Sequence, residues 1–257
     1  MILSGKVALV TGANRGLGEA FVEGLVARGA RVYAAARDPE ALVPIVSRHN
    51  GKVVPLALDV TDPHAIANAA TTASDVSLLI NNAGRLDQLS LMEAGGVDTL
   101  REEMEVNVIG LAQMSISFAP VIAQNGGGAI VNMLSVGSLI PFAPFASYSA
   151  SKAAAMSLTH TMRWELKDLN IKVFGIYAGF IDTGMIGNVA GNKTPPQAIV
   201  ERSLSAIEKG TLDIAADDRS AEVCSQLQQG LDERLQDSYE RSDAFRASHP
   251  AKPKGLN

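Results

Sequence analysis

The sequence predicts an α/β fold built on one doubly wound parallel sheet of about seven strands, with helices on both faces. Short apolar, β-branched runs alternate with longer amphipathic segments along the chain, which is the pattern of repeated strand–helix–strand units. A glycine-rich turn at residues 12–18 directly follows the first apolar run. The 257 residues contain no repeat of solenoid period and no low-complexity linker, so we predict one domain over residues 1–257.

The first half of the chain contains four predicted strands. They cover residues 6–11, 31–36, 53–58 and 77–81. Helices are predicted between them at 17–28, from about 38 to 48, and from 61 onward. Gly29 suits the end of the first helix, and aspartate followed by proline suits the start of the other two.

The second half continues the alternation. Helices are predicted at 97–123, with Gly110 inside, and at 149–169, and a polar helical tail is predicted at 219–245. Strands are predicted at 129–134, 171–177 and 211–216. Because the strands are apolar throughout, we expect helices to cover both faces of the sheet.

Composition argues against several classes of protein. A formal net charge of −5 with scattered signs indicates neither a nucleic-acid surface nor a polybasic membrane patch. Residues 106–151 carry no charge, but prolines and glycines interrupt the apolar runs, so no membrane-spanning helix of about 20 residues is predicted. A single cysteine, Cys224, and an N-terminus without a signal-peptide pattern favour the cytoplasm. The four histidines lack ligand spacing, so we predict no metal site.

Tyr148 and Lys152 form the most informative pair in the chain. Residues four apart share one face of a helix, so the ammonium can act on the phenol, whose ordinary pKa is about 10. A unit charge at ~4 Å and an effective dielectric constant of ~20 is worth about 4 kcal/mol, enough to lower that pKa substantially. With the Ser135 hydroxyl upstream, the pattern predicts an acid/base site; the alternative is a helix start with a surface lysine.

The glycine-rich turn predicts a phosphate site. It lies between the first strand and the first helix, where free N–H groups and the helix dipole favour an anion. Its spacing is G-x-x-x-G-x-G and not the G-x-G-x-x-G fingerprint. The second strand ends at Ala36 and Arg37, and Arg15 lies in the turn, so two guanidinium groups favour a 2′-phosphate and hence NADP(H) over NAD(H). We interpret Asp38, before Pro39, as a helix cap.

In their order along residues 6–183 these motifs resemble the classical short-chain dehydrogenase/reductase family, which implies a Rossmann-type fold. The segment TGANRGLG is similar to the cofactor loop of that family, and the segment NNAG at 81–84 to the motif after its fourth strand. Asp59-Val60 resembles its adenine-contacting pair, and Asn107 its helix asparagine.

The resemblance implies a role for each matching residue. Tyr148 would donate a proton to a carbonyl, and Lys152 would lower the pKa of Tyr148 and bind the nicotinamide ribose. Ser135 would polarise the substrate oxygen, and Asn107 would hold a water that leads protons to Lys152. The implied cofactor-binding residues are Gly12, Asn14, Arg15, Gly16, Leu17, Gly18, Arg37, Asp59, Val60, Asn82, Ala83, Gly84, Tyr148, Lys152, Gly179, Ile181 and Thr183.

Two loops flanking this site carry apolar residues that we interpret as walls of a substrate pocket. These residues are Leu139, Ile140, Phe142, Phe145, Met185 and Ile186. Since no arginine or lysine in these loops can clamp an anion, we expect an uncharged, hydrophobic ketone or aldehyde as substrate, reduced by an NADPH-dependent carbonyl reductase. The alternatives are an NAD(P)-dependent alcohol dehydrogenase and a non-catalytic NADPH-binding sensor or scaffold.

The sequence departs from the family pattern at two places. Ala178-Gly179 stands where the family usually has Pro-Gly, so the turn loses the stiffness of proline. The charged tail replaces a glycine-rich C-terminus. The predicted division is residues 1–134 mainly for the cofactor, 135–216 for catalysis and substrate, and 217–257 as the tail. The apolar helices around 106–123 and 149–169 are suited to a homodimer or tetramer.

Overall fold

The computed structural model describes residues 1–87, 91–186, 192–226, 240, 241 and 244, and a seven-stranded sheet forms its centre. All neighbouring strands pair in parallel, in the order β3-β2-β1-β4-β5-β6-β7. The strands are β1 Val7–Thr11, β2 Arg31–Ala36, β3 Val53–Ala57, β4 Leu78–Asn81, β5 Gly128–Met133, β6 Ile171–Tyr177 and β7 Asp213–Ala215. The strand order reverses between β1 and β4, and ligands of such sheets bind beyond the carboxyl ends of the strands at this switch point. The predicted fold class is confirmed.

Helices cover both faces of the sheet. They are α1 Gly16–Ala27, α2 Val43–Arg48, α3 Pro63–Thr72, α4 Gly96–Met104, α5 Leu111–Gln124, α6 Ala146–Glu165, α7 Pro196–Lys209 and α8 Asp218–Ser225. Buried side chains of α1, α2 and α7, such as Phe21, Ile45 and Leu204, share one core with one face of the sheet. Side chains of α3, α5 and α6, such as Phe118 and Met162, form a second core on the other face. Burial on both faces explains why the central strands β1, β4 and β5 are largely apolar.

The helix predicted at 97–123 is divided in the structure. Met104 ends α4, a π-helical segment covers Glu105–Gly110, and α5 continues through Pro120 to Gln124. Pro120 removes one backbone hydrogen bond but does not end the helix, because Phe118 and Ile122 on either side of it are fully buried against the sheet.

The same run, Gly96–Gln124, is long and apolar enough by composition to cross a membrane. In the fold, 50% of its apolar window is buried inside the protein. We therefore interpret it as a core helix of the α3, α5 and α6 layer, in which apolar character arises from packing on the sheet.

Other element boundaries differ from the sequence prediction. The long helix α6 begins at Ala146, so Tyr148 lies in its first turn. The helix α7, which ends before the left-handed Gly210, was not predicted. The tail begins with α8, and residues 240, 241 and 244 are helical, whereas the remainder of the tail predicted to extend to residue 245 lies outside the described residues.

A buried polar network ties β4, β5 and α6 together beneath the switch point. The Nδ2 group of Asn81 donates to Asn132 Oδ1 at 2.9 Å and to Ser115 Oγ at 3.1 Å. The Nδ2 group of Asn132 donates to Thr159 Oγ1 at 2.9 Å. Because hydrogen bonds in a low-dielectric core are strong and specific, this network sets how α6 lies against the sheet.

Replacing Asn132 by alanine should lower the free energy of unfolding by about 2–3 kcal/mol, since Asn81 and Thr159 each lose one buried hydrogen bond and a cavity forms. Chemical denaturation measures this change. The Asn68→Ala variant, altered at an exposed position of α3, is the matched control and should stay within about 0.5 kcal/mol of the parent protein. Equal unfolding free energies for the two variants would contradict the structural role of the network.

Candidate active site

The glycine turn brings β1 and α1 into close contact. A Cβ at position 18 would lie 2.0 Å from the carbonyl oxygen of Gly12, so only glycine fits there. Gly16 has a φ of +56° and starts α1, and no side chain caps that helix at Arg15. The N–H groups of the first turn of α1 are thus left for an anion.

The end of β4 holds this turn in place. Thr11 Oγ1 accepts hydrogen bonds from the backbone N–H of Asn82 at 3.0 Å and of Ala83 at 2.9 Å. The side-chain amide of Asn82 donates to the carbonyl oxygen of Thr11 at 2.9 Å. The Asn82 side chain therefore braces the turn, while residues 82–84 line the adjoining cavity.

Tyr148 lies where α6 meets the apolar loops. Its ring packs against a small cluster formed by Phe145 and Ile186, and its phenol hydrogen-bonds Ser135. Ser135 Oγ also accepts from the backbone N–H of Gly137 at 3.0 Å. Burial raises the pKa of Tyr148 to about 12, and the hydrogen bond with Ser135 offsets this only partly. The phenol is therefore protonated at neutral pH.

Lys152 is buried one turn along the same helix. Its ammonium lies 5.6 Å from the centre of the Tyr148 ring and donates to the carbonyl oxygen of Met133 at 2.8 Å. Burial lowers the pKa of Lys152 to about 8. The expected lowering of the Tyr148 pKa is not observed, because desolvation of the phenol prevails while the ammonium is hydrogen-bonded to the end of β5.

Asn107 lies behind the cavity wall, in the π-helical segment. Its Nδ2 group donates to the carbonyl oxygen of Arg85 at 2.8 Å and to Ser151 Oγ at 3.0 Å, and its Oδ1 accepts from the Arg85 N–H at 2.8 Å. A Cβ built on Gly84 would lie 3.2 Å from Asn107 Oδ1 and 3.7 Å from Lys152 Nζ, so Asn107 and Lys152 adjoin across that glycine. The side-chain amide holds the loop after β4, and its role with a water stays a prediction.

One continuous cavity of about 1300 Å³ collects these groups at the carboxyl edge of the sheet. Binding sites for single small ligands usually measure roughly 300–1,000 Å³, so this cavity has room for a dinucleotide together with a substrate. Each predicted cofactor-binding residue lines it, as does Ser135. Within the described residues, no group of three or more histidine, cysteine or acidic side chains could hold a metal ion.

The apolar end of the cavity differs in detail from the prediction. Phe142, Phe145 and Met185 line it as expected. Leu139 does not line the cavity, because it packs against the core on the α6 side of the sheet. Its neighbour Ile140, which was also predicted, does line the cavity. Phe180 was not predicted there. Its ring centre lies 6.2 Å from those of both Phe142 and Phe145 in edge-to-face contact, and its place just after β6 could have indicated this.

The opposite end of the cavity is basic. Arg15 and Arg37 both line it and are exposed, and neither forms an ion pair with another described residue. Asp38 Oδ1 accepts from the Glu40 N–H at 3.0 Å and caps a short 3₁₀ helix, so the interpretation of Asp38 as a cap is confirmed. No carboxylate at the tip of β2 therefore competes for the position beside Ala36.

Asp217 was missed by the sequence analysis. This buried carboxylate accepts from the Gly179 N–H and from the Ser220 N–H, each at 2.7 Å. It thereby ties the turn after β6 to the start of α8. The departure of Ala178 from the usual proline is thus compensated by an anchor from a distant part of the chain.

Comparison with known proteins agrees with this arrangement. The model of the family described as short chain dehydrogenase matches residues 6–194. The chain belongs to that family. Its members are oxidoreductases acting on CH–OH and carbonyl groups, and the resemblance drawn from the motifs is confirmed.

Individual relatives extend the similarity over most of the chain. A short chain dehydrogenase from Burkholderia cenocepacia, solved in complex with NADP, is 37% identical with a TM-score of 0.84, covering 98% of this chain and 100% of that chain. A 3-oxoacyl-(acyl-carrier-protein) reductase of Vibrio harveyi is 34% identical over 72% of this chain and 77% of the reductase. A fatty acyl-CoA reductase of Acinetobacter baylyi is 29% identical over 80% of this chain and 72% of its own length.

The Asp217→Ala variant should bind NADPH roughly fivefold more weakly, because the turn at Gly179 loses a charge-assisted hydrogen bond that orders it. Fluorescence titration measures the Kd. The Asp218→Ala variant is the control, since the Asp218 side chain is fully exposed and, among the described residues, its ion pair is with the surface residue Arg202. An unchanged Kd in the Asp217 variant would show that the anchor does not support the cofactor site.

Proposed function

We propose that this protein is an NADPH-dependent carbonyl reductase that reduces an uncharged, hydrophobic ketone or aldehyde. One observation carries the proposal. A protonated tyrosine, hydrogen-bonded to Ser135, lies at the apolar end of a cavity whose other end is a glycine turn flanked by Arg15 and Arg37. The proton donor, the apolar walls and the basic end that suits a phosphate thus lie in one cavity at the switch point of the sheet.

The protein's part in the reaction follows from the protonation states. Tyr148, with its pKa raised to about 12 by burial, carries the proton that a carbonyl oxygen needs as it becomes an alcohol. The Ser135 hydroxyl donates a hydrogen bond to the same oxygen, and the Lys152 ammonium stabilises the phenolate that remains. When bound, the reduced nicotinamide supplies the hydride, so one hydride and one proton add across the carbonyl group.

The cofactor preference rests on charge. Two exposed guanidinium groups, Arg37 at the tip of β2 and Arg15 in the glycine turn, suit a 2′-phosphate. The Asp38 carboxylate caps a helix, so no acidic side chain takes the place that would accept the 2′-hydroxyl of NAD. The Burkholderia cenocepacia relative, at 37% identity, was solved with NADP, which supports the same preference here.

The substrate class rests on the walls of the cavity. Phe142, Phe145 and Phe180 form an aromatic wall beside Tyr148, completed by Met185 and Ile186. Such walls favour apolar groups next to the reacting carbonyl. The names of the Vibrio and Acinetobacter relatives, both reductases of acyl compounds, are compatible with a hydrophobic substrate.

We also propose that the protein is a cytoplasmic homodimer or tetramer, with residues 1–134 mainly holding the cofactor and 135–216 holding the substrate. Ile116 on α5 is 71% exposed and Trp164 on α6 is 70% exposed, so both helices present large apolar side chains outward. The free thiol of Cys224 suits a reducing compartment.

The Tyr148→Phe variant should lose at least about 10³-fold in the kcat of ketone reduction while its Kd for NADPH changes less than about twofold, because only the proton donor is removed. The rate is followed at the absorbance band of NADPH. Tyr33→Phe, which removes a phenol from β2 outside the cavity, is the matched control and should keep full activity. Comparable turnover by the Tyr148 and Tyr33 variants would refute the catalytic assignment and favour a binding-only role.

The double variant Ala36→Asp, Arg37→Ile should reduce the ratio of kcat/KM for NADPH over NADH by at least about tenfold, since it removes a cation and places a carboxylate beside the ribose position. Steady-state kinetics with both cofactors measure the ratio. Arg101→Ile removes an exposed arginine from α4 and controls for the loss of one positive charge. A ratio unaltered by the double change would place the 2′-phosphate elsewhere.

A further inference from the structure

We propose that Glu103 is a positioning residue for the reaction proposed above: its buried carboxylate holds the loop at 84–87 against α6 and supplies the negative charge that keeps the Lys152 ammonium protonated. This inference rests on the proposed function for its meaning, because a protonated Lys152 matters only if Tyr148 becomes a phenolate during catalysis. The physical pairing can be measured without turnover.

Polar side chains of the α4 and π-helical run face polar side chains of α6. Glu103 and Asn107 lie four residues apart, one turn along the α4 and π-helical run, and Ser147 and Ser151 lie four apart on α6. Asn107 Nδ2 donates to Ser151 Oγ at 3.0 Å, and the Glu103 carboxylate lies against Ser147. Glu103 therefore faces Ser147 one turn earlier in the chain than Asn107 faces Ser151.

Asn107 and Glu103 both hold the loop at residues 84–87 through hydrogen bonds. Asn107 Oδ1 accepts from the Arg85 N–H, and Glu103 Oε1 accepts from the Asp87 N–H, each at 2.8 Å. A Cβ built on Gly84, at the start of this loop, would lie 3.7 Å from Lys152 Nζ, so the loop adjoins the ammonium. The loop that Glu103 holds thus forms part of the wall around the ammonium.

The carboxylate itself is unusual. Glu103 is fully buried. Among the described residues, neither its Oε2 atom nor the Oγ atom of the neighbouring Ser147 forms a hydrogen bond. Burial raises the pKa of Glu103, and the nearby Ser147 hydroxyl only partly offsets the rise. A buried carboxylate without a contacting cation destabilises a fold, so stability alone does not account for this residue.

The electrostatics around Lys152 indicate what the Glu103 carboxylate does. Burial lowers the pKa of Lys152 to about 8, and the charge of Glu103 opposes that decrease. Asp87 and Glu102 both pair with Arg85, so their charges are compensated nearby. Besides Tyr148, one turn away on the same helix, Glu103 acts on the Lys152 ammonium. Arg85, Asp87, Glu102 and Glu105 line the same cavity as Lys152.

The Glu103→Gln variant removes the charge but keeps the side-chain length and an oxygen for the Asp87 N–H. In protein labelled with ¹³C at lysine Cε, the Lys152 resonance, assigned by its absence from Lys152→Arg, should titrate near pH 8 in the parent and about one pH unit lower in Glu103→Gln. Asp98→Asn, which removes an exposed carboxylate from the same helix, should leave the midpoint unchanged. Glu103→Asp, which retains the charge, should restore most of the shift.

An unmoved Lys152 midpoint in Glu103→Gln would overturn the proposal. A second measurement uses the parent protein alone: the ¹³Cδ resonance of Glu103 should show an ionised carboxylate throughout pH 7–9, and a protonated one there would overturn the proposal as well. In NADPH-dependent reduction of acetophenone, the decline of kcat at high pH should move to lower pH in Glu103→Gln, since loss of the negative charge favours deprotonation of both Lys152 and Tyr148. A shifted Lys152 resonance in a protein that reduces no ketone or aldehyde would count against the proposed function and leave the Glu103–Lys152 pairing intact.

Discussion

The buried ammonium of Lys152 is the constraint on which the arrangement of α6 against the sheet depends. A charge taken out of water is unfavourable unless hydrogen bonds and an opposite charge compensate it. Here the carbonyl oxygen of Met133 at the end of β5 accepts directly from it, and the Glu103 carboxylate acts from the facing helix. The hydrogen bond to Met133 and the interaction with Glu103 both require α6 to keep one position along β5 and α4. The buried Asn132–Thr159 hydrogen bond, on the same helix and strand, holds that position.

The glycine turn after β1, which we propose as the phosphate site, depends on close contact between backbones. The turn after β1 approaches the start of α1 so closely that position 18 has no room for a Cβ. The end of β4 reinforces the same turn through the Thr11 hydroxyl and the Asn82 amide. The glycine turn and the buried ammonium both lie where the order of strands reverses, so they line one cavity. The chemistry follows from this convergence and from no single motif.

Sequence reasoning succeeded where the signal is local and periodic. Six strands lie within a residue or so of their predicted bounds, because a buried parallel strand is a short apolar run that is easy to recognise. It missed α7, although Pro196 at its start, Gly210 at its end and Ile199, Leu204 and Ile207 at helical spacing are a detectable pattern. The π-helical segment around Asn107 has no comparable local signal, since its cause is the packing of that asparagine against the loop after β4.

By itself the sequence determined the parallel α/β fold, the family, the glycine turn and the spacing of Tyr148 and Lys152, because each depends on residues close together along the chain. The tertiary structure decided which neighbours surround each charge. It placed Asp217 beneath Gly179, Phe180 on the cavity wall, Leu139 in the core and Glu103 opposite α6. It also reversed the expected direction of the Tyr148 pKa, because desolvation depends on the whole packed environment and not on the distance along one helix.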